Sequence, residues 1–328
     1  MPLPETVSKI FLYADKLIWR DETIWHYTTA SGLDGILKNH VIWASSAAFM
    51  NDRQELSTGP ELLVKLLDFY KNELDPRIVE DVLYLANATA LTNRPKTFVS
   101  CACNDPDSLT MWRNYAGSEA GFAIGINGSI GLNIRKQRAF DESMMDGFQP
   151  PNAYESRASE VEAIGAEKFS WQPALYNLEA QAEVALHALR RFEKIATERL
   201  DGLNQSEAEL DVMSETAQAL QVFKHPAFRD EKEQRIVCGT SPHLDGPFIK
   251  HRPGKYGIVP YVELGIPAPR QGSGDQGLPE RMNKLPIEAI IVGPTPYPKE
   301  AESGVFDLLQ RSGYGEPPIR HSQVPFRR

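Results

Sequence analysis

The stretch Phe228-Arg229-Asp230-Glu231-Lys232-Glu233-Gln234-Arg235-Ile236-Val237-Cys238 has the pattern of a β-strand whose first half is charged and whose second half is apolar. Because alternate residues of a strand point to the same face, we expect Glu231, Glu233 and Arg235 to share one side of a sheet. Two carboxylates and a guanidinium are costly to place where a strand enters a core, unless they are paired or used in function. This strand is therefore the first candidate for an active site, and a solvated strand end is the alternative.

The composition is that of a globular protein. The chain has 328 residues, of which 41% are hydrophobic and 24% are charged, so a sizeable core is possible. An apolar run of about 20 residues and a signal-peptide pattern are both missing from the sequence. We therefore expect a cytoplasmic protein without a membrane partner.

The net charge of −9 argues against broad nonspecific binding to a phosphate backbone, because such binding depends on clustered lysines and arginines. A local basic groove around Arg252, Lys255, Arg270 and Arg281 stays possible. The three cysteines fit neither a disulfide framework nor a zinc site, so no metal is expected.

Strand patterns occur towards both ends of the chain, whereas helical patterns dominate from about Pro173 to His225. This order favours one mixed α+β domain over residues 1–328, with residues 138–222 as a helical insertion.

A second candidate site lies in Trp25-His26-Tyr27-Thr28. If this segment is a strand, His26 and Thr28 share a face and offer two hydrogen-bonding groups to the same space. A structural histidine is the alternative reading.

Two further candidates carry small polar or aromatic groups. Ser45 ends a strand pattern and is followed by Asn51-Asp52, which could instead be a turn or helix cap. On a helix, Trp112 and Tyr115 are neighbours three residues apart; they could belong to the core or form the wall of a pocket against which a flat ring stacks.

Taken together, these pieces resemble the domain-of-unknown-function family 2971, a name that carries no activity. The resemblance covers nearly the whole chain and is weakest over 138–219. The motifs that carry it are Trp25–Thr28, Ile42–Ser45 with Asn51-Asp52, Phe98–Cys101, Asp107-Ser108, Met111-Trp112 with Tyr115-Ala116, Gly121–Gly125, Phe223–Phe228 with Glu231, Glu233 and Arg235, Ile290–Pro294, and Ser322–Arg327.

A looser resemblance is to the ADP-ribosyltransferase superfamily. It rests on His-Tyr-Thr, the helix that follows, and a strand ending in small polar residues. It implies an α+β fold with a split, antiparallel-rich sheet. It also implies that His26 contacts an NAD ribose, that Ser45 or Tyr115 lies beside nicotinamide, and that Glu233 is catalytic.

The function implied by this resemblance is cleavage of the nicotinamide–ribose bond of NAD, with transfer of ADP-ribose to an unknown acceptor, protein or nucleic acid, as a toxin or defence effector. Glu233 would stabilise the positive charge that develops on the sugar, and Glu231 would position or deprotonate the acceptor. The catalytic residues would be Glu233, Glu231 and His26, and NAD would be bound by His26, Tyr27, Thr28, Ser45, Asn51, Trp112, Tyr115 and Arg235.

Two other functions stay open on the sequence. One is a metal-dependent nuclease in which Asp52, Asp105, Asp107, Glu231 and Glu233 converge on Mg²⁺ or Mn²⁺. The other is a binding module without turnover, whose charged strand and aromatic pair hold a ligand or a partner.

Overall fold

A computed structural model describes residues 23–50, 57–72, 74, 76–89, 97–116, 120–141, 144, 153–197, 212–213, 215–240, 246–254, 257–269 and 279–325. The chain divides into two compact units. The helical unit includes Ala47–Pro95 and Pro173–Arg229, and the sheet unit comprises Trp19–Ser46, Lys96–Gln172 and Asp230–Arg328. Residues 138–222 are shared between the two units, and their role as an insertion in a single domain stays a prediction.

The described strands form one sheet. They are β1 (Thr23–Thr29), β2 (Ile42–Ser46), β3 (Thr97–Cys103), β4 (Gly121–Asn127), β5 (Asn133–Ile134), β6 (Gln172–Pro173), β7 (Glu233–Gly239), β8 (Lys250–Gly254), β9 (Gly257–Pro267), β10 (Met282–Asn283), β11 (Ile287–Val292) and β12 (Ile319–His321).

The described α-helices are α1 (Ala30–Asn39), α2 (Thr58–Tyr70), α3 (Pro76–Thr89), α4 (Leu109–Tyr115), α5 (Ala153–Ala166), α6 (Leu178–Thr197) and α7 (Pro298–Arg311). Strands β11 and β12 run parallel, while the pairs that join β1, β2, β3, β4, β7 and β9 are antiparallel. The predicted mixed α+β class and its antiparallel-rich sheet are therefore confirmed. Among the described helices, none is long and apolar enough to cross a membrane.

The sheet divides at strand β3. One edge of β3 pairs with β7 along all of Thr97–Cys103. The other edge pairs with β2 through Phe98 and Val99, and with β1 through Cys103 opposite Trp25. Strands β1 and β2 therefore separate along this edge, and we call the space where they part the fork.

Helix α1 joins β1 to β2. Its N-cap is Thr29, whose hydroxyl accepts a hydrogen bond from the backbone N–H of Gly32 at 3.2 Å. The helix ends at His40, whose left-handed conformation lets its N–H bond to the carbonyl of Ile36. Because β1 and β2 both run antiparallel to β3, they point in the same direction, and α1 is the helical crossover that connects them.

The two faces of the sheet differ in character. The face below α1 and α7 is apolar and carries the main core of the sheet unit. Burial of each large side chain there contributes about 1.5–3 kcal/mol. We call this the core face; its members include Ile24, Leu33, Leu37, Phe98, Ile124, Ile236, Val262, Leu264, Ile290, Val305 and Leu309.

The opposite face is only partly apolar, and we call it the polar face. Helix α4 covers one part of it, with a small core of Tyr27, Cys103, Met111, Trp112, Ala123 and Ile291. The helical unit has its own core, formed by residues of α2, α3, α6 and the segment after them: Leu63, Leu67, Ile78, Val82, Val184, Leu189, Leu220 and Phe223.

Alanine substitutions at two glycines of the sheet unit should change the free energy of unfolding in opposite directions. A Cβ at Gly121 would lie 2.1 Å from the Cβ and 2.8 Å from the Cα of Ala116, whereas a Cβ at Gly35, within α1, meets nothing within 4 Å. We expect Gly121→Ala to lower the free energy of unfolding by about 1–3 kcal/mol through overpacking. Gly35→Ala should raise it by about 0.5–1 kcal/mol through helix propensity. Urea denaturation of both variants checks this, and equal effects would contradict the close approach of α4.

Candidate functional site

Strand β7 begins later than the sequence pattern predicts. Glu231 ends a 3₁₀ helix, Pro226–Glu231, and Lys232 has a positive φ of 44° before the strand starts at Glu233. A positive φ is uncommon for a residue with a side chain and turns the chain sharply. The prediction that Glu231 shares a strand face with Glu233 and Arg235 is therefore wrong, although Glu231 is buried close to that strand.

Glu233 and Arg235 form an ion pair inside the sheet unit. The Nε of Arg235 donates to the Oε1 of Glu233 at 2.7 Å, and the side chains are 0% and 3% exposed, respectively. They lie two residues apart on one strand, so they share a face as predicted. Because both charges are removed from water, the ion pair offsets part of the hydration that each side chain loses.

The register of the strands shows which residues lie beside this pair. In an antiparallel sheet, residues directly opposite each other point to the same side. Cys103 lies opposite Glu233, Cys101 lies opposite Arg235, and Ser45 lies opposite Val99 of the same strand. Ser45 and the ion pair therefore both lie on the polar face, as a shared site requires.

His26 lies on the other face. Trp25 is opposite Cys103, which places Trp25 on the polar face and His26 and Thr28 on the core face. The Nδ1 of His26 donates to the carbonyl oxygen of Cys101 at 2.8 Å, across the fork. The strand register thus separates His26 from Glu233, two residues that the sequence analysis places in one catalytic site.

The protonation of His26 follows from these surroundings. Burial lowers the pKa of His26 below its ordinary value of 6.5, and the hydrogen bond to Cys101 opposes that shift only in part. A carbonyl oxygen can only accept, so the neutral ring carries its proton on Nδ1 and Nε2 is an acceptor. His26 links β1 to β3 where their backbones no longer pair.

Tyr27 holds the loop after β3. Its hydroxyl donates to the carbonyl of Asp105 at 2.6 Å and accepts from the N–H of Ser108 at 2.9 Å. Its ring meets that of Trp112 edge-on, with centroids 4.6 Å apart. Burial raises the pKa of Tyr27. These contacts assign Tyr27 a structural role at the start of α4.

Trp112 belongs to the core below α4. It is 5% exposed, and its indole N–H donates to Oδ1 of Asp107 at 2.7 Å. Asp107 also accepts from the hydroxyl of Ser322 at 2.5 Å and the N–H of Gln323 at 2.6 Å. Tyr115, in contrast, is 36% exposed. Trp112 therefore lies in the core and Tyr115 at the surface, while Asp107 fixes the chain beyond β12 against α4.

The carboxylates of the nuclease hypothesis are engaged separately. Asp105 is paired with Lys232 at 3.0 Å; burial alone would raise the pKa of Asp105, but the hydrogen bonds from Lys232 and from the N–H of Asp107 lower it. Within the described part of the chain, no group of three or more His, Cys, Asp or Glu residues is placed to hold a metal ion. Asn51 and Asp52 lie outside the described residues.

Strands β2, β8 and β9 add a group of residues of which the sequence pattern identifies only Ser45 and Arg252 as candidates. Trp43 is opposite Glu263, and Tyr261 is opposite both Ser45 and Lys250. All of them lie on the polar face with Glu233. We call the group the Trp43 cluster; it comprises Trp43, Ser45, Lys250, Arg252, Tyr261 and Glu263. Its sequence signal is weak: Tyr261 and Glu263 alternate with apolar residues in a strand that is otherwise buried.

Glu263 is the charged centre of this cluster. It is 3% exposed. Its Oε2 accepts from Arg135 at 2.9 Å and from Gln137 at 3.1 Å, and its Oε1 accepts from Lys250 at 2.8 Å. Burial on its own would raise the pKa of Glu263, but the donors of Lys250, Gln137 and Arg135 lower it. Glu263 is therefore an anion shared between two cations.

Arg252 lies at the open side of the cluster. One terminal nitrogen donates to the hydroxyl of Ser45 at 3.1 Å, and the guanidinium carbon is 5.6 Å from the centre of the Trp43 ring. Its Nε is buried and has no hydrogen-bond partner among the described residues. Trp43 itself is 44% exposed. A cation and an aromatic surface thus lie together next to Ser45.

Comparison with known proteins gives one match. Residues 111–236 match the model of a family described as "Protein of unknown function (DUF2971)", which confirms the predicted resemblance over that segment. The segment includes Trp112, Glu233 and Arg235. No curated protein and no solved structure matches the chain.

The ion pair makes a first prediction for this site. Glu233→Gln or Arg235→Met alone should lower the free energy of unfolding by about 3–5 kcal/mol, because each removes one partner of a buried ion pair. The double variant Glu233→Met/Arg235→Met should be within about 1 kcal/mol of the wild type, since two apolar side chains of similar volume replace the pair. Denaturation of the four proteins as a double-mutant cycle checks this. Additive losses would contradict a coupled pair.

His26 makes a second prediction. Its pKa is lower in the folded than in the unfolded protein, so its contribution to stability is complete above about pH 6.5 and decreases as the pH falls through that window. His26→Asn keeps a donor for Cys101 but cannot titrate. We expect the difference in unfolding free energy between wild type and His26→Asn to shrink between pH 7.5 and pH 5.5, measured by denaturation. A difference that stays constant or grows would contradict a neutral, half-buried His26.

Proposed function

We propose that this chain is an NAD-consuming enzyme of the ADP-ribosyltransferase type, which cleaves the bond between nicotinamide and ribose and transfers ADP-ribose to an acceptor. The observation that carries the proposal is the position of Glu233. Its carboxylate is buried, is fixed by Arg235 at 2.7 Å and lies on the same sheet face as Ser45. The fork between β1 and β2 supports the split sheet that this fold type implies.

The chemistry needs a negative charge at a defined place. Loss of nicotinamide leaves positive charge on the anomeric carbon of the ribose, as in glycoside cleavage. A carboxylate that is already oriented stabilises this charge without reorganising in the transition state. The broken bond leaves its electron pair on nicotinamide, and the acceptor forms the new bond to the same carbon and releases its proton. Glu233 is the catalytic carboxylate in this proposal.

The other residues have separate roles. Arg235 holds Glu233 in its orientation and is a positioning residue. Ser45 lies on the same face and offers a hydroxyl to the ligand. His26 is on the core face, so in this proposal it positions β1 against β3; the predicted contact with the ribose is not used. Glu231, buried near β7, is assigned to the acceptor side.

Nicotinamide release from NAD tests the proposal. We expect release by the wild-type protein in EDTA, with and without cell extract as a source of acceptor. Glu233→Gln should reduce the rate by about 10²–10³-fold, the usual cost of losing one electrostatic group from a site. Asp307→Asn, at an exposed carboxylate of α7, is the control and should keep the wild-type rate.

The double variant Glu233→Met/Arg235→Met separates catalysis from stability. It should fold as well as the wild type and still lack release. A folded wild-type protein that releases no nicotinamide, or a double variant that keeps the wild-type rate, would contradict the proposal.

One observation favours a second candidate, a nucleotide-binding module without turnover. The guanidinium of Arg235 already bonds the carboxylate of Glu233, and both side chains are buried. An ion pair of this kind can be purely structural. This candidate predicts binding of NAD, unchanged in the double variant, without any product.

A further inference from the structure

We propose that the Trp43 cluster binds the base and the diphosphate of a nucleotide, with the base on Trp43 and the phosphates at Arg252 and Lys250. This inference rests on the proposed function, since the bound part would be the ADP half of NAD. It assigns binding to residues that lie apart from the Glu233–Arg235 pair.

Trp43 provides the aromatic surface for the base. Trp43 is 44% exposed, and its ring lies 4.6 Å from that of the buried Tyr261, at an interplanar angle of 40°. The buried ring of Tyr261 thereby packs against the ring of Trp43. A large, supported aromatic ring with an accessible surface is suited to stacking against a flat base.

The Trp43 cluster and its neighbour Arg135 have a net positive charge. Arg135 and Lys250 share the single carboxylate of Glu263. In the described part of the chain, Arg252 has no carboxylate partner and bonds only the hydroxyl of Ser45. The cluster therefore has more positive than negative charge, and the planar donors of Arg252 suit a phosphate. The Lys250 side chain lies on the same sheet face, is 40% exposed and adds a second cation.

The distance between the Trp43 cluster and Glu233 follows from the strand register. Ser45 is opposite Val99, and Val99 is opposite Val237 of β7. Two strand spacings amount to about 10 Å, and Glu233 lies four residues from Val237, about 13 Å along the strand. The cluster and Glu233 are therefore too far apart for one nucleoside but within reach of the two ends of a dinucleotide on the same face.

Isothermal titration calorimetry with ADP, AMP and adenosine tests this inference. We expect ADP to bind more tightly than adenosine, and its affinity to fall with rising salt. Arg252→Met should weaken ADP by about 10–100-fold and leave adenosine within about twofold, because only the phosphate contacts are lost. Trp43→Leu should weaken both ligands by about 5–100-fold.

Two variants outside the Trp43 cluster serve as controls. Arg311→Met and Tyr297→Ala remove an exposed cation and an exposed ring outside the sheet face, and both should bind ADP like the wild type. Thermal melting establishes that each variant is folded. Arg252→Lys, which keeps the charge but loses the planar donors, should give an intermediate loss of about 3–10-fold.

Absence of saturable ADP binding by the folded wild type would overturn the inference. ADP affinities of Arg252→Met and Trp43→Leu that stay within twofold of the wild type would also overturn it. Because ADP is not turned over, this result is independent of nicotinamide release. Loss of ADP binding in the variants, without release by the wild type, would support the nucleotide site and reject the catalytic proposal.

Discussion

The edge of strand β3 that receives both β1 and β2 is the constraint on which the rest of the site depends. Each backbone N–H and carbonyl of a buried strand needs a partner. Strand β2 pairs with the beginning of this edge and β1 with its end. Between them, the side chain of His26 bonds the carbonyl of Cys101. The imidazole of His26 replaces a backbone N–H as the donor to this carbonyl, and β1 and β2 can therefore separate here.

The two faces of the sheet differ in where their buried ionic groups lie. The core face carries the main hydrophobic core of the sheet unit, although Ser46, Ser100 and Gln234 are also buried on it. The polar face carries two buried ionic groups, Glu233 with Arg235 and Glu263 with Arg135 and Lys250. Apolar residues of similar volume would often be at least as stable in such places. In the described strands, these ionic groups lie on the face where the proposed function places the ligand.

The sequence predicts the strand that carries the pair, because alternation is a local property. It identifies Glu233 and Arg235 as neighbours on one face, and the structure confirms this. It fails for Glu231, because a positive φ at Lys232 ends the alternation without any glycine to signal it. The sequence does not identify Trp43 as part of a site, because its contacts are not local. Its neighbours lie more than 200 residues away in sequence, and only the register of β2 against β9 brings them together.

The arrangement of the polar face also bears on how a ligand would be held. Arg235 is fully buried, and Glu233 nearly so, so neither side chain loses rotamer freedom when a ligand binds. A site whose charges are already fixed avoids much of the ordering cost of association. Trp43 and Lys250, in contrast, are partly exposed and are accessible from solvent. A rigid carboxylate at one end and an accessible aromatic and cationic surface at the other suit a long ligand.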